Sequence, residues 1–392
     1  MKRNFFKLSL ANTSFLLIAM LGLSIMTTSC EKDNDDDNTE PDLSHEDWKG
    51  DITEATTLDA SKVYNLSGLI NVKEDASLTI PAGTRIEASG GTSAAIIVEQ
   101  GAQIFVNGTQ DEPVVMTSGL ENPSRGDWGG LVICGRATCN SGGGMSEVGD
   151  VPYGGDIDDD NSGSVTYLRL EYTGAAFNSE KEYNGFSLFG VGSGTEIEYV
   201  QIYECSDDPI EFYGGTVHAN YIVSSSAEDD MFDWTEGWTG GGQYWYGLNN
   251  MGFGNRGMEC DSWSQDFSAT PTSNPTISNV TLIGSGDQGP EPQAMMLRAG
   301  TAGSIDNVVV KDWATGIEVR SDESIDNIGN ELLKVTNIHF MDIPTILVVK
   351  NTDGDVVTDE SHEAVFTIDE NATGAGAGTA VPDWAQGWTI GL

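Results

Sequence analysis

The chain has 392 residues, of which 61 are acidic and 18 are basic, so its formal net charge is −43. A surface this negative excludes binding through nucleic-acid phosphates, and it disfavours a polyanionic ligand unless divalent cations bridge the two. The 48 glycines, with no long amphipathic helical pattern, predict many short strands and tight turns.

The N-terminus has the pattern of an export signal. A basic start precedes an apolar run from 15 to 26, which is too short to span a bilayer, and small residues lead to Cys30. The arrangement resembles the signal of bacterial lipoproteins, whose cysteine becomes the acylated N-terminus, although Thr27 replaces the usual aliphatic residue. We therefore predict a lipoprotein signal peptide at 1–29 and lipidation at Cys30. The alternative is an ordinary secretory signal that leaves Cys30 as a free thiol.

The segment that follows Cys30 is acidic and almost without apolar residues. This composition predicts a disordered tether over 30–48. The acidic run also resembles the surface-export signal of Bacteroidetes-type lipoproteins, which implies a lipid-anchored outer-membrane protein exposed on the cell surface. A solvated spacer is the simpler interpretation, and both can hold.

A short apolar repeat begins at Val72. Its three copies are Val72, Ala76, Leu78 and Ile80, then Ile80, Thr84, Ile86 and Ala88, then Val98, Ala102, Ile104 and Val106. Asp75, Gly83 and Gly101 hold the same turn position, with 26 residues from the first to the third and 18 from the second to the third. Alternating apolar residues interrupted by turns at this period are typical of stacked β-coils, which bury a core only by stacking.

A second repeat lies further along the chain. Residues 207–212 align with 229–234 at an offset of 22, and the same apolar-acid-apolar core recurs around Glu259 and Glu318. A propeller needs a longer period, and a sandwich shows hairpin signals. We therefore predict an all-β fold, a right-handed parallel β-helix or solenoid, over 49–392 with a C-terminal cap.

Several segments carry a family resemblance. They are Trp128-Gly129-Gly130-Leu131-Val132-Ile133, Tyr153-Gly154-Gly155, Asp160-Asn161-Ser162-Gly163, Tyr167-Leu168-Arg169-Leu170-Glu171 and Phe212-Tyr213-Gly214-Gly215-Thr216-Val217. Across residues 65–320 the chain resembles a group of uncharacterised bacterial cell-surface β-helix proteins. The resemblance implies the fold most firmly, and it implies a surface protein associated with outer-membrane uptake systems. It implies no settled activity.

The acidic residues of the second repeat are the first candidate site. If the offset of 22 is one coil, the stacked pairs are Asp207 with Asp229, Asp208 with Asp230, and Glu211 with Asp233. Stacked strands lie about 4.8 Å apart, so these carboxylates repel one another unless a cation or donor intervenes. Ca²⁺, with about six to eight oxygen ligands, fits that need best. We predict a cation site or ligand groove; a solvated acidic column and catalytic carboxylates are the alternatives.

A second candidate metal site is an acidic loop. Asp156, Asp158 and Asp160 place carboxylates at alternate positions, as at the start of a calcium loop. The loop departs from an EF-hand, because Asn161 stands where glycine is needed and Tyr167 where the bidentate glutamate is needed. Ca²⁺ binding and an exposed acidic turn are both open interpretations.

A third candidate is aromatic. Trp234 and Trp238 lie beside the carboxylates of 233–236, and a similar segment recurs with Trp384 and Trp388. Exposed aromatic rings beside acids are typical of sugar-binding surfaces, so we predict a ligand-binding role for Trp234 and Trp238. The alternative is that these indoles pack a turn against a loop. For the C-terminal copy we predict a cap on the last coil.

Four cysteines lie beyond Cys30. In an exported chain, the simplest disulfide pairing joins Cys134 with Cys139 and Cys205 with Cys260, and neither spacing is typical of a zinc site.

Two classes of function remain open. The preferred one is a non-enzymatic, surface-anchored protein that binds an extracellular ligand such as a glycan, or that assists an outer-membrane transporter. The alternative is a Ca²⁺-dependent polysaccharide lyase or glycoside hydrolase. The chain lacks the Gly-His-Gly and Arg-Ile-Lys elements of polygalacturonase-like enzymes, and basic residues are scarce between 182 and 255. No complete catalytic set can be assembled.

Overall fold

The computed structural model describes residues 45–177, 181–249, 254–286, 292–376 and 378–392. The predicted signal peptide, Cys30 and most of the predicted tether lie outside these residues. The first described strand begins at Trp48, which is fully buried. Over the described ranges, no helix is long and apolar enough to cross a membrane.

The described residues fold almost entirely into short strands. In chain order these are β1 (Trp48–Ile52), β2 (Thr56–Thr57), β3 (Val63–Val72), β4 (Ser77–Pro81), β5 (Arg85–Ala88), β6 (Ala95–Val98), β7 (Gln103–Asn107), β8 (Val114–Ser118), β9 (Leu131–Cys134), β10 (Gly144–Met145), β11 (Pro152–Tyr153), β12 (Gly163–Glu171), β13 (Phe186–Phe189), β14 (Glu196–Tyr203), β15 (Ile210–Tyr213), β16 (His218–Ser225), β17 (Phe232–Thr235), β18 (Gly241–Leu248), β19 (Met258–Cys260), β20 (Thr276–Gly286), β21 (Gln293–Leu297), β22 (Gly303–Trp313), β23 (Thr315–Arg320), β24 (Leu333–Met341), β25 (Thr345–Lys350) and β26 (Phe366–Ile368). The helices are α1 (Asp322–Gly329) and three 3₁₀ turns, Gly91–Ser93, Glu360–Val365 and Asp383–Ala385.

Twenty-four of these strands form one parallel sheet that winds into stacked coils. The coils have three faces, because β12 pairs with β7 through its first half and with β8 through its second half, while β13 continues the stack of β6 and β9. Later coils repeat this plan. The third face, which carries the candidate site, holds β6, β9, β13, β15, β17, β19, β21, β23 and β25. The predicted parallel β-helix is confirmed.

The predicted repeat positions form the core. The apolar residues of all three early copies are buried inside the coils, alternating with outward residues as the strand pleat requires. Asp75, Gly83 and Gly101 all have left-handed backbone, with φ of 67°, 73° and 77°. The spacing of 26 is a true coil, since Ser77 pairs with Gln103. The spacing of 18 is not: Gly83 donates to the carbonyl of Glu112, so it lies at a different corner from Gly101.

The bend that divides each long strand is marked by a column of side chains. Its first four members are Tyr167, Tyr199, Tyr221 and Tyr244, with φ of 47°, 55°, 58° and 61°. Successive rings stack with centroids 4.4, 4.3 and 4.9 Å apart. Left-handed backbone is unfavourable for tyrosine, and the ring stacking offsets that cost. Asn279, Asn307 and Asn337, a residue type that tolerates this conformation, continue the column.

The C-terminal segment does not cap the last coil as predicted. Residues 373–376 and 378–392, which we term the C-terminal strap, run back along the outer side of the second face. They reach from Asn307 in β22 to Gln110 in the turn between β7 and β8. Trp388 is buried in this strap and Trp384 is half-buried. Within the described chain, α1 and the turn Glu360–Val365 pack against each other and against the strands of the last coils.

The four described cysteines are free thiols and are buried, so the predicted disulfides are wrong. Cys205 lies just before β15, whereas Cys260 lies in β19, two strands further along the same stack. Two strand spacings amount to about 10 Å, which exceeds the reach of a disulfide.

Candidate functional site

The outer side of the third face changes character along the solenoid. Over β6, β9 and β13 it is covered by the loop that contains the β10–β11 hairpin, whose Val148 and Val151 pack on outward residues such as Ile97 and Val132. From β15 onward the face opens into a cleft of about 460 Å³. The residues that define this acidic cleft are Asp207, Asp208, Glu211, Asp233, Glu259 and Asp261, with Arg298 at one end.

Strand register brings the carboxylates of three coils together. Glu211 in β15 pairs with Asp233 in β17, which pairs with Glu259 in β19. Because equivalent residues of stacked strands point the same way, all three side chains lie on the outer surface in one column. The predicted stacking of Glu211 on Asp233 is therefore observed, and Glu259 extends the column by one coil.

The paired aspartates before each strand have a structural task. Asp208 Oδ1 accepts a hydrogen bond from the backbone N–H of Asp230 at 2.9 Å. In the next coil Asp230 Oδ1 accepts from the backbone N–H of Arg256 at 2.6 Å, and Arg256 Nη1 lies 3.0 Å from Asp230 Oδ2. These bonds link successive coils, which explains why the second aspartate of the pair recurs at an offset of 22.

Three groups of carboxylates crowd the floor of the cleft. In each group, one oxygen per residue lies within 4.8 Å of the others. The groups are Asp207, Asp208 and Asp229; then Asp208, Glu211 and Asp233; then Asp230, Asp233 and Glu259. Asp208 and Asp233 each belong to two groups, so the clusters form one continuous array.

Hydrogen-bond donors reach some of these carboxylates but not all. Glu211 accepts from Asn184 Nδ2 at 2.5 Å and from the Tyr213 hydroxyl. Glu259 pairs with Arg256 at 3.2 Å and with Arg298 at 2.8 Å.

Asp233 accepts no side-chain hydrogen bond and forms no ion pair within the described chain. The residue is only 8% exposed, it lines the open cleft, and Arg298 acts on it only through its charge. A largely buried carboxylate among other acids is costly to keep charged, so a proton or a cation at Asp233 is favoured.

Burial and crowding alter the acidity of several carboxylates of the cleft. Burial, followed by the charges of neighbouring acids, raises the pKa of Asp208 and Asp233 well above the usual value. Burial and the Asp229 charge raise the pKa of Asp207 to about 7. Burial raises the pKa of Asp261 to about 6, although Arg298 acts in the opposite direction. At neutral pH the array therefore favours any ligand that supplies positive charge.

Several residues of the cleft were not predicted from the sequence. Glu259 was noted only as part of a repeat, and extending the register by one coil would have found it. Asp261 follows it by two residues and points to the same side. Glu147 also lines the cleft. Neither Arg298 nor Glu147 could have been found this way, because insertions of irregular length separate them from the repeat.

The structure does not bring the three aspartates of the second predicted metal site together. Asp156, Asp158 and Asp160 belong to none of the close carboxylate groups in the described chain. Asp158 accepts from the N–H of Thr138 at 3.0 Å, and Asp160 accepts from the N–H of Arg136 at 2.9 Å. These bonds are those of an acidic turn, and Ca²⁺ binding in this loop stays a prediction.

The predicted sugar-binding surface of Trp234 and Trp238 is wrong. The two indoles are 1% and 0% exposed and belong to the core. Trp234 Nε1 donates to the Thr301 hydroxyl, and Trp238 Nε1 donates to the carbonyl of Val217. Adjacent strand residues point to opposite sides, so Trp234 must face inward wherever Asp233 faces outward.

A parallel β-helix whose open face carries a buried carboxylate array is the class of protein that these observations define. The chain belongs to the family described as pectate-lyase-like β-helix domains, whose model matches residues 50–389. No curated protein and no solved structure matches the chain.

Proposed function

We propose that the acidic cleft binds Ca²⁺ through Asp208, Glu211 and Asp233. Two oxygens bound to one Ca²⁺ at about 2.3–2.6 Å lie at most about 5 Å apart. The oxygens of these three residues lie within 4.8 Å of one another, so one ion can contact all three.

The chemistry of the ligand set favours calcium over other metals. All members of the three groups are carboxylates, with no histidine or cysteine among them. Hard oxygen ligands in a spacious, irregular site are typical of Ca²⁺, whereas Mg²⁺ demands near-ideal octahedral geometry and zinc prefers nitrogen and sulfur. The observation that carries the proposal is the buried, unpartnered carboxylate of Asp233.

The bound cation would serve the recognition of an extracellular ligand. Three carboxylates leave coordination positions of Ca²⁺ free, and those positions face a cleft of about 460 Å³. Hydroxyl or carboxylate oxygens of a glycan are suitable ligands for them. In this proposal the protein is a non-enzymatic binding or transporter-accessory lipoprotein, anchored to the outer membrane through Cys30 and exposed on the cell surface.

A specific feature supports the enzymatic alternative, a polysaccharide lyase or glycoside hydrolase. Asp207, with its pKa raised to about 7 by burial and by Asp229, can hold or release a proton near neutral pH. A lyase also needs a base, and Arg298 is unsuited to that role. Glu259 and Asp261 pair with its guanidinium at 2.8 and 2.7 Å, and its pKa is raised rather than lowered by these charges.

A glycan array separates these alternatives. We would probe protein without residues 1–30, with calcium and with EDTA, and analyse the bound glycans for new reducing or unsaturated ends. Calcium-dependent binding without products supports the binding function, whereas calcium-dependent cleavage supports the enzyme. Asp233→Asn should abolish the calcium dependence, and Asp111→Asn, at an exposed carboxylate outside both candidate calcium sites, should retain it. Glycan binding that is unchanged by EDTA and by Asp233→Asn would overturn the proposal.

The anchor needs its own test. Metabolic labelling with a fatty acid should mark the native chain and not the Cys30→Ser variant. Equal labelling of both chains, or of neither, would contradict a lipid anchor at Cys30.

A further inference from the structure

The C-terminal strap contacts coils that are far apart along the solenoid. It begins at Asn307 in β22, whose side-chain oxygen accepts from the N–H of Thr373 at 2.8 Å. One coil earlier, the Thr281 hydroxyl in β20 accepts from the N–H of Ala375 at 3.0 Å and donates to the carbonyl of Gly378 at 2.9 Å.

The far part of the strap is held equally well. Gln201 in β14 makes two bonds with Ile390, donating to its carbonyl at 2.7 Å and accepting from its N–H at 2.9 Å. Arg169 in β12 donates to the carbonyl of Trp388 at 3.1 Å. Gln110, before β8, donates to the carbonyl of Gln386 at 3.0 Å.

Apolar contacts join these two ends. Outward residues of β16 and β18, Val223 and Tyr246, are buried in one cluster with Ala375 and Ala385 of the strap. The indole of Trp384 packs edge-on against Tyr221, with ring centroids 5.4 Å apart. The strap therefore touches every coil from β12 to β22.

We propose that the strap is a longitudinal clamp that makes these coils open as one cooperative unit. In an ordinary solenoid each repeat contacts only its neighbours, so stability is a sum of local terms and coils can open separately from an end. A strap bound to six successive coils adds contacts that every one of those coils shares. Losing one coil then loosens the strap on the others.

Native-state hydrogen exchange of the full-length chain tests this proposal. Gln201→Ala removes the two bonds to Ile390 and one bond to Ser225 in the neighbouring coil. Thr281→Val removes the two bonds to residues 375 and 378 with little change of shape. The matched control is Asn71→Ala, which removes an outward amide that bonds to Asp51 and not to the strap.

Each strap variant should accelerate exchange by roughly tenfold throughout β12–β22, including the coils remote from the substitution, because one loosened site weakens the shared clamp. Asn71→Ala should act only near β1 and β3. The proposal is overturned if the effect of Gln201→Ala stays within β14 and its neighbours while that of Thr281→Val stays within β20 and its neighbours. It is also overturned if neither variant differs from the control over β12–β22.

Discussion

Two outer surfaces of the same solenoid differ in where their polar side chains find partners. On the second face, outward polar groups such as Gln201 and Thr281 find donors and acceptors in the backbone of the C-terminal strap. On the third face, the acidic cleft stays open, and its carboxylates face one another. The comparison shows that outward polar groups find hydrogen-bond partners where another segment of the chain covers the face. The strand geometry beneath is the same on both faces.

Within the cleft the same contrast recurs over three residues. Asp230 and Asp233 belong to the same segment, and both are buried. Asp230 holds the backbone and the guanidinium of Arg256, whereas Asp233 has no partner in the described chain. One carboxylate therefore links successive coils, and the other faces the open cleft, where it can take up a proton or an external cation.

The largest expected effect of a single substitution comes from the paired carboxylate. Asp230→Ala removes the acceptor of the Arg256 N–H and a buried ion pair, so we expect the free energy of unfolding to fall by about 3 kcal/mol. Urea unfolding in EDTA measures it. Asp156→Ala, at an exposed carboxylate, is the control and should change the value by less than about 0.5 kcal/mol. A loss at Asp230 as small as that of the control would show that the pairing does not stabilise the coils.

The pH dependence of stability should come from the acidic cleft and not from the face that the strap covers. The folded-state pKa values of Asp207 and Asp261, about 7 and about 6, exceed the unfolded values, so the folded protein binds the extra protons. Their contribution to stability is therefore fully present below the unfolded pKa and is lost as pH rises through these values. In EDTA we expect a loss of about 4 kcal/mol from these two groups between about pH 5 and about pH 8.

Substitutions on each face sharpen this test. Asp207→Asn should flatten the pH slope, since it removes a titrating group of the cleft. Gln201→Ala should keep the slope of the wild type, because the strap bonds involve amides and hydroxyls that do not titrate in this range. A slope as steep in Asp207→Asn as in the wild type, or a smaller slope in Gln201→Ala, would place the pH dependence elsewhere.

The smallest expected effect concerns the reactivity of the buried cysteine thiols. Burial raises the pKa of Cys139 and Cys205 to about 12, so we expect the native thiols to react very slowly with a thiol reagent. Unfolding the protein without residues 1–30 should release four reactive thiols without any reductant. Fewer than four would indicate a disulfide.

The repeats made the fold and part of the site predictable. Alternation identified buried positions such as Val72 and Leu78, and the offset of 22 placed Glu211 beside Asp233 because no insertion separates these two coils. The offset of 18 suggested a wrong coil length, because turn residues with left-handed backbone occur at different corners of a coil. The burial of Trp234 was predictable too: its neighbour Asp233 faces outward, so the indole had to face inward.

Other features left no signal in the sequence. The strap bonds to single outward residues on different coils, such as Thr281 and Asn307, which no period connects. Arg298 reaches the cleft only because β21 follows an insertion whose length the repeat does not specify. Long-range packing of irregular segments depends on side-chain contacts that pattern alone does not encode.

The central claim is that the Asp233 carboxyl takes up a cation, and calcium-dependent stability tests it most directly. We would measure thermal unfolding of the wild type and of Asp233→Asn at neutral pH, in EDTA and in excess calcium. In EDTA the variant should be more stable by about 1 kcal/mol, because the amide avoids the cost of charging or protonating a buried carboxyl among other acids. In calcium the order should reverse, because only the wild type gains the full binding free energy. The same order in both conditions would contradict the claim.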